Sequence, residues 1–279
     1  MITRNDIVRE LTAYGAAQDS SLTLAEAAVR IGALERPALP LERYSRHLQT
    51  LADKVATYAR ANDGAVPVAV MAEALCQVLA RHMGYGGGET GGRDEDCFEL
   101  SRVIDSREGA AETLSILYAE TARRLGWEAH ILRVPGRTVV RVESLGERLI
   151  LDPLGMGRVV EPADLRAIVK AYAGIESELT PNGITELDDK AALLNMMAGR
   201  KSVLLRSKRL DDAAELIDCA LMISPTEPTL WRECGLLNAR RDRIREAISA
   251  LEEYLRLGAE DDGRYITTML LQELRGRLS

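Results

Sequence analysis

The last third of the chain repeats itself with a fixed period, which limits what this region can fold into. The segment that begins at Arg209 is matched by the segment that begins 34 residues later at Arg243. Matched positions carry residues of similar size and polarity: Ala213 and Ala247, Ile217 and Leu251, Leu221 and Leu255, Trp231 and Tyr265. A repeat of this length, with apolar residues at helical spacing, predicts pairs of helices that stack on one another.

A period of 34 residues is that of the tetratricopeptide (TPR) repeat, in which each unit is a helix–turn–helix. Pro225 follows the predicted end of the first helix, where a proline suits the turn. Because two repeats seldom bury enough core alone, residues 191–207 and 265–278 are predicted to form flanking and capping helices. We expect an all-α domain over residues 181–279, preceded by a polar linker that ends the first domain near residue 180.

The first domain, residues 1–180, is predicted to be mostly helical with a small sheet. Thr23 and Glu26 form a capping-box pattern, Pro40 and Pro162 suit helix starts, and Gly126 suits a left-handed helix end. The stretches EAHILRV, TVVRVES and GERLILD alternate like strands, and the last two form a hairpin pattern. A helix followed by antiparallel strands predicts an α+β class, with a helix packed on an antiparallel sheet.

Composition excludes several classes of function. The 279 residues carry a net charge of −7, which argues against a general nucleic-acid binder. No segment approaches the roughly 20 apolar residues of a membrane span, so we expect no membrane association and a cytoplasmic location. The glycine-rich segment 84–96 lacks the Lys-Ser/Thr pair of a phosphate loop. The chain has four cysteines and three histidines, namely Cys76, Cys97, Cys219, Cys234, His47, His82 and His130. The cysteines show no CxxC pairing and the histidines show no metal-ligand spacing, so we expect no metal and no cofactor.

Three motifs occur in a specific order. They are REGAAETLSILYAETARRLG at Arg107–Gly126, VPGRTVVRV with Arg137, and ILDP with Asp152. Followed by a TPR tail, this order resembles the bacterial transglutaminase-like/TPR proteins often described as invasion-regulator-like. The resemblance covers nearly the whole chain and implies a transglutaminase-like helix-on-sheet core. The family has a histidine where this chain has Arg137.

The resemblance also implies a degenerate catalytic triad. Active transglutaminase-like enzymes hold a cysteine at the N-terminus of the central helix, followed by a histidine and an aspartate. Those places correspond here to Ala111, Arg137 and Asp152, which we call the relic triad. Alanine has no nucleophile, and an arginine stays protonated and cannot act as a base. We expect Arg137 and Asp152 to form a salt bridge, with Glu112 as a second possible partner; binding of a small acidic or peptide ligand in the cleft is the alternative.

Two functions therefore stand side by side. The first is a catalytically inactive scaffold or regulator that binds a protein or peptide partner through its TPR region. A further option is that the TPR tail alone is functional and the front domain only supports it. The second is a cysteine-dependent amide hydrolase or acyltransferase with a relocated nucleophile, Cys97, supported by His130 and Asp152. The partner surface predicted for the scaffold, called the basic set below, consists of Arg206, Lys208, Arg209, Arg240, Arg241 and Arg243, with Arg245 close by.

Overall fold

Helices form most of the protein. The computed structural model describes residues 2–16, 22–60, 65–88, 93–180, 183–258 and 261–277. The α-helices are α1 (Arg4–Gly15), α2 (Leu24–Glu35), α3 (Leu41–Ala59), α4 (Val68–Leu75), α5 (Leu100–Ser106), α6 (Ala111–Arg123), α7 (Pro162–Ala173), α8 (Asp189–Arg206), α9 (Leu210–Ile223), α10 (Pro228–Arg240), α11 (Ile244–Arg256) and α12 (Asp261–Gly276). A π-helical turn, Cys76–His82, continues α4, and a 3-10 turn occupies Glu95–Phe98.

The strands form one antiparallel sheet. They are β1 (Glu128–Val134), β2 (Arg137–Ser144), β3 (Glu147–Asp152), β4 (Arg158–Val159) and β5 (Thr185–Leu187). Their order across the sheet is β4-β3-β2-β1-β5, and each neighbouring pair is antiparallel. The predicted α+β class, mostly helical with a helix on an antiparallel sheet and a TPR tail, is confirmed.

Local sequence signals explain where several helices begin and end. Thr23 and Glu26 cap α2 reciprocally, and Pro162 occupies the first turn of α7. Pro40 precedes α3 as its N-cap residue. After α6, Gly126 has a φ of 73°, a left-handed conformation that costs glycine little. Part of the glycine-rich segment, residues 89–92, lies outside the described residues.

The sheet is covered on both sides. Helix α6 packs against β1 and β2. A second apolar cluster joins the sheet to α7 and the segment before it: Leu132, Val134, Val139, Val160 and Leu165. The strand end that carries Asp152 and the start of α6 are therefore both held in the same layered core.

The chain divides into two compact units, and the division corrects the predicted boundary. The first unit comprises residues 1–7 and 21–200, and the second comprises residues 8–20 and 201–279. The sequence places the boundary near residue 180, whereas the first unit extends to residue 200. The first unit extends further because Thr185–Leu187 forms strand β5, which pairs with β1. The polar stretch around it was predicted as a linker, since three residues are too few to show strand alternation.

The second unit contains the stacked helices predicted from the repeat. Ala213 and Ala247 are fully buried, and a β-carbon at Gly235 of α10 would lie 2.5 Å from Leu251 of α11. The predicted capping helix is α12, whose Leu271 and Leu274 pack with Ala247 and Leu251. Small residues at these crossings allow the helices to approach closely.

Most of α1 belongs to the second unit, whereas sequence reasoning placed it in the first domain. A β-carbon at Gly15 would lie 2.5 Å from the carbonyl oxygens of Met222 and Ile223. Helix α1 therefore packs against the backbone at the end of α9, through a contact between residues distant in sequence. None of the described helices is both long and apolar enough to cross a membrane.

Candidate functional site

Backbone hydrogen bonds position the N-terminus of α6. The Ala110 N–H donates to the Cys97 carbonyl at 3.0 Å, and the Gly109 N–H donates to the Gly86 carbonyl at 3.0 Å. Arg107 begins this segment in a left-handed conformation, with a φ of 72°. The helix start that would carry a nucleophile in an active relative is thus fixed by two neighbouring loops.

Arg107 is held by a buried aromatic cluster. Its Nη1 lies 3.0 Å from His47 Nε2, and its guanidinium group stacks 4.7 Å from the centre of the Tyr85 ring. Tyr85 Oη lies 2.7 Å from the same His47 nitrogen. Burial, and then the charge of Arg107, lower the pKa of His47 to about 4. His47 is therefore neutral near pH 7 and accepts hydrogen bonds that anchor the loop.

Arg137 and Asp152 of the relic triad meet at one end of the sheet. Ala111 is the first residue of α6, Arg137 the first of β2 and Asp152 the last of β3. Arg137 Nη1 lies 3.8 Å from Asp152 Oδ1, and Arg158 Nε lies 3.9 Å from Oδ2. These are ion-pair distances, longer than the roughly 2.7–2.9 Å of a charged hydrogen bond, so Arg137 does not form a bidentate pair.

Burial shapes the electrostatics of this end of the sheet. The Asp152 side chain is 2% exposed, against 23% for Arg137. Burial raises the pKa of Glu112, in the first turn of α6, while the charge of Arg137 opposes that rise. Burial, with smaller effects of Cys76 and Asp152, raises the pKa of Tyr118 far above its usual range. The arrangement offers an ion pair and a neutral phenol, and supplies no nucleophile at Ala111.

Sequence reasoning missed several contacts beside the relic triad. Arg158 is a second cation near Asp152, and the Cys76 thiol donates to the Met156 carbonyl at 3.4 Å. A β-carbon at Gly157 would lie 2.7 Å from Tyr118 Oη. The Gly-Met-Gly sequence after Asp-Pro signals a tight turn. No sequence signal connected Cys76 to this turn, because 80 residues separate Cys76 from Met156.

The alternative set, Cys97, His130 and Asp152, is not brought together. Cys97 is buried in the 3-10 turn. His130 Nδ1 lies 2.7 Å from Glu186 Oε1, and His130 Nε2 lies 3.3 Å from Glu128 Oε1. His130 is on β1 and Asp152 on β3, two strands away, about 9–10 Å at ordinary strand spacing. His130 is therefore engaged by glutamates on a different part of the sheet.

We expect Cys76 to react first with iodoacetamide, because Cys97, Cys219 and Cys234 are buried and Cys76 is only partly so. Burial raises the pKa of the Cys76 thiol, so labelling should be slow at pH 7 and accelerate as the pH rises toward 9. Peptide mass spectrometry over time measures this order. Cys76→Ser should remove the early label and Cys97→Ser should leave it. Fast labelling of Cys97 at pH 7, lost in His130→Ala, would contradict the expectation and favour the cysteine-dependent enzyme.

Members of the basic set occupy different environments. Arg206, Lys208, Arg240, Arg243 and Arg245 are exposed. Arg209, also exposed, pairs with Asp212 at 2.5 Å. In contrast, the Arg241 side chain is only 10% exposed.

Arg241 connects two helices. Its Nε and Nη2 donate to Asp211 Oδ1 at 2.8 and 2.5 Å, and its Nη1 donates to Asn238 Oδ1 at 3.1 Å. It joins the end of α10 to the first turn of α9. We therefore correct its predicted role: Arg241 stabilises the repeat, and the exposed members form the candidate partner surface.

A shallow groove of about 130 Å³ adjoins this surface within the second unit. Its polar side chains include an ion pair between Lys201 and Glu233. Arg240 lies at its rim, and the other lining residues are Leu205, Ile217, Leu236 and Leu237. The groove thus combines an apolar floor with one exposed cation.

Comparisons with known proteins agree with this architecture. A helix on an antiparallel sheet, with the relic triad at one end and stacked helix pairs following it, defines a transglutaminase-like protein with a TPR unit. The family model described as Transglutaminase-like superfamily matches residues 42–198, and a tetratricopeptide repeat model matches residues 201–272. The first match spans more than half of the chain, so the chain belongs to the Transglutaminase-like superfamily. The predicted resemblance is confirmed.

Bacterial relatives share most or part of the chain. A UPF0162 protein of Xylella fastidiosa (strain Temecula1) is 25% identical over 264 residues, which cover 93% of this chain and 90% of the relative. Protein SirB1 of Salmonella typhimurium is 25% identical over 170 residues, covering 61% of this chain and 63% of that protein. A crystal structure of menin aligns with 96% of this chain and 74% of its own, at 10% identity and a TM-score of 0.44.

Proposed function

We propose that this protein is a catalytically inactive transglutaminase-like protein that acts as a scaffold or regulator through its TPR unit. The observation that carries the proposal is the pair of residues at the relic triad. Ala111, at the buried start of α6, has no nucleophilic atom, and Arg137 occupies the place of the base. A guanidinium group cannot accept a proton near pH 7.

The ion pair supports a structural role for the old site. With Arg137 and Arg158 on either side, the carboxylate of Asp152 is held by cations and has no imidazole to orient. In the Ser-His-Asp logic, an aspartate acts only through the base that it positions. The proposed role of Asp152 is therefore to keep β2, β3 and the turn after β3 together.

The cysteine-dependent alternative has little geometric support. A nucleophilic thiol needs an adjacent base or a lowered pKa. The candidate nucleophile Cys97 is buried, its predicted base His130 is engaged by glutamates, and burial raises the pKa of the partly exposed Cys76. Catalysis by one of these cysteines is an outcome that the activity test would detect.

Activity is tested with a glutamine-containing peptide and a fluorescent amine, which report both hydrolysis and acyl transfer. The wild-type protein should show no turnover above buffer. The double variant Ala111→Cys, Arg137→His restores the family's residues and serves as the matched comparison. Wild-type turnover that disappears in Cys97→Ser or Cys76→Ser would contradict the proposal.

Exposed cations of the second unit offer a surface for a protein partner. Arg206, Lys208, Arg240 and Arg243 are exposed, and Arg240 borders the apolar groove. Guanidinium groups bind carboxylates in two-point contacts, and exposed charges speed encounter with an oppositely charged surface. We propose that the second unit binds an acidic segment of a protein partner, in the cytoplasm.

Partner binding is expected to weaken as salt rises from about 50 to 300 mM, because exposed charges are screened over about 10 Å near 0.1 M. Proteins captured from the source cells by the full chain are identified by mass spectrometry, and the most enriched partner is purified for titration. Arg240→Glu combined with Arg243→Glu should weaken this binding at least tenfold. The control is Arg166→Glu, which makes one such charge reversal at an exposed position of α7. Equal affinity of the double variant and the control would move the partner surface away from this region.

A further inference from the structure

Three potential metal ligands meet on one face of the sheet, far from the relic triad. They are Glu128 and His130 of β1 and Glu143 of β2. One ligand atom from each lies within 4.8 Å of the other two. Glu128 is directly opposite Glu143 in the strand register, and His130 follows Glu128 by two residues on the same face. Strand pairing therefore creates a cluster that the linear spacing of the histidines does not show.

The charges around this cluster are unbalanced. Two carboxylates directly opposite each other on an antiparallel pair repel. Arg141 forms ion pairs with Glu143 and, at 2.9 Å, with Glu186 of β5. Among the ion pairs of the described residues, Glu128 takes part in one, with the imidazole of His130 at 3.3 Å. A cation between Glu128 and Glu143 would relieve their repulsion.

A third strand orients the imidazole. Glu186 Oε1 lies 2.7 Å from His130 Nδ1, and Glu186 is itself held by Arg141. Metal-binding histidines commonly donate their other ring N–H to a carboxylate, which fixes the ring and leaves one nitrogen free to bind. The other nitrogen, Nε2, faces Glu128 Oε1 at 3.3 Å, so these two atoms are the ones that a metal ion would share. This arrangement needs β5, the strand that sequence reasoning did not predict.

We propose that Glu128, His130 and Glu143 bind a divalent transition-metal ion of the zinc type. Zinc binds imidazole nitrogen and carboxylate oxygen at about 2.0–2.2 Å, often through three protein ligands with a fourth position open. Two tetrahedral ligand atoms at that distance are about 3.3 Å apart. The Glu128 Oε1 to His130 Nε2 distance is 3.3 Å. Calcium and magnesium prefer all-oxygen sites and do not call for an imidazole.

The test is isothermal titration calorimetry, in which zinc chloride alone is added to the full, tag-free chain. One equivalent should bind, and His130→Ala, Glu128→Gln and Glu143→Gln should each weaken binding at least tenfold. Glu186→Gln, which weakens the support of the ring and the ion pair with Arg141, should weaken it about tenfold or more. His82→Ala, at an exposed histidine outside the cluster, and Cys76→Ser, at the partly exposed thiol, should leave it unchanged.

Several results would overturn the site. They are no zinc binding at 100 µM protein, binding that survives His130→Ala, binding that is lost in Cys76→Ser, or calcium binding of equal strength. The last would mark the glutamates as a general acidic surface. Melting curves without zinc check that each variant is folded. Glu128 is exposed, so Glu128→Gln is expected to leave the fold intact and to report on zinc binding alone.

Discussion

Arg137→Ala is expected to lower the free energy of unfolding of the first unit by about 3 kcal/mol. Removing one member of a buried ion pair leaves the other charge uncompensated, which costs about 3–5 kcal/mol. The lower end applies because Arg158 remains 3.9 Å from Asp152. The side chain of Asp152 is 2% exposed and has no access to water. Its uncompensated negative charge is therefore the main cost of losing Arg137. For a unit of this size, the melting temperature should fall by roughly 6–12 °C.

Three further variants define this effect. Asp152→Ala should cost less than Arg137→Ala, because the arginine left behind is 23% exposed and retains access to water. Replacing both should also cost less than Arg137→Ala alone, since no buried charge remains. Arg158→Ala, whose side chain is 53% exposed, should change stability by about 0–1 kcal/mol. Denaturant titration measures all four; equal stability of Arg137→Ala and wild type would show that the pair does not hold the old site.

Arg241→Glu is expected to destabilise the second unit by about 1.5–3 kcal/mol, the range for hydrogen bonds to charged groups. The change removes the donors to Asp211 and Asn238 and places a carboxylate beside Asp211. It also removes a cation that lowers the pKa of Asp218, which burial raises. Because Arg241 is nearly buried, its aliphatic stem is lost from the packing as well.

The neighbouring Arg240→Glu is the matched control. Arg240 is exposed, so its reversal should change stability by less than about 0.5 kcal/mol. Thermal and denaturant melts of the two variants compare adjacent residues with the same change of charge. If both melt alike, Arg241 is not structural. The comparison also matters for binding experiments, in which a variant that reverses Arg241 would lose partners by unfolding.

Structural features that depend on residues close in sequence could be predicted from the sequence. The cap of α2 at Thr23 and Glu26, the left-handed Gly126 and the alternation of β1, β2 and β3 each depend on residues within one turn or one hairpin. Backbone hydrogen bonding and side-chain periodicity act over that same range. Strand β5 was missed because its three residues carry no pattern without β1 beside them.

The candidate sites were predictable only in part. The order of the family motifs placed Ala111, Arg137 and Asp152, and the structure brings Arg137 and Asp152 to 3.8 Å. The second cation, Arg158, and the contact of Cys76 with Met156 depend on how the turn after β3 packs. Among the arginines of the second unit, sequence alone could not separate the structural Arg241 from the exposed Arg240.

By itself, the sequence determined the helix pairs of the repeat, the strand pattern of the sheet and the absence of a thiol at Ala111. These features follow from residue identity and from spacing along one element. Only the tertiary structure decided that α1 packs on α9, and that Glu128, His130 and Glu143 share one face. The reason is physical: burial, ion pairing and ligand geometry depend on strand register and helix packing, which join side chains that are distant along the chain.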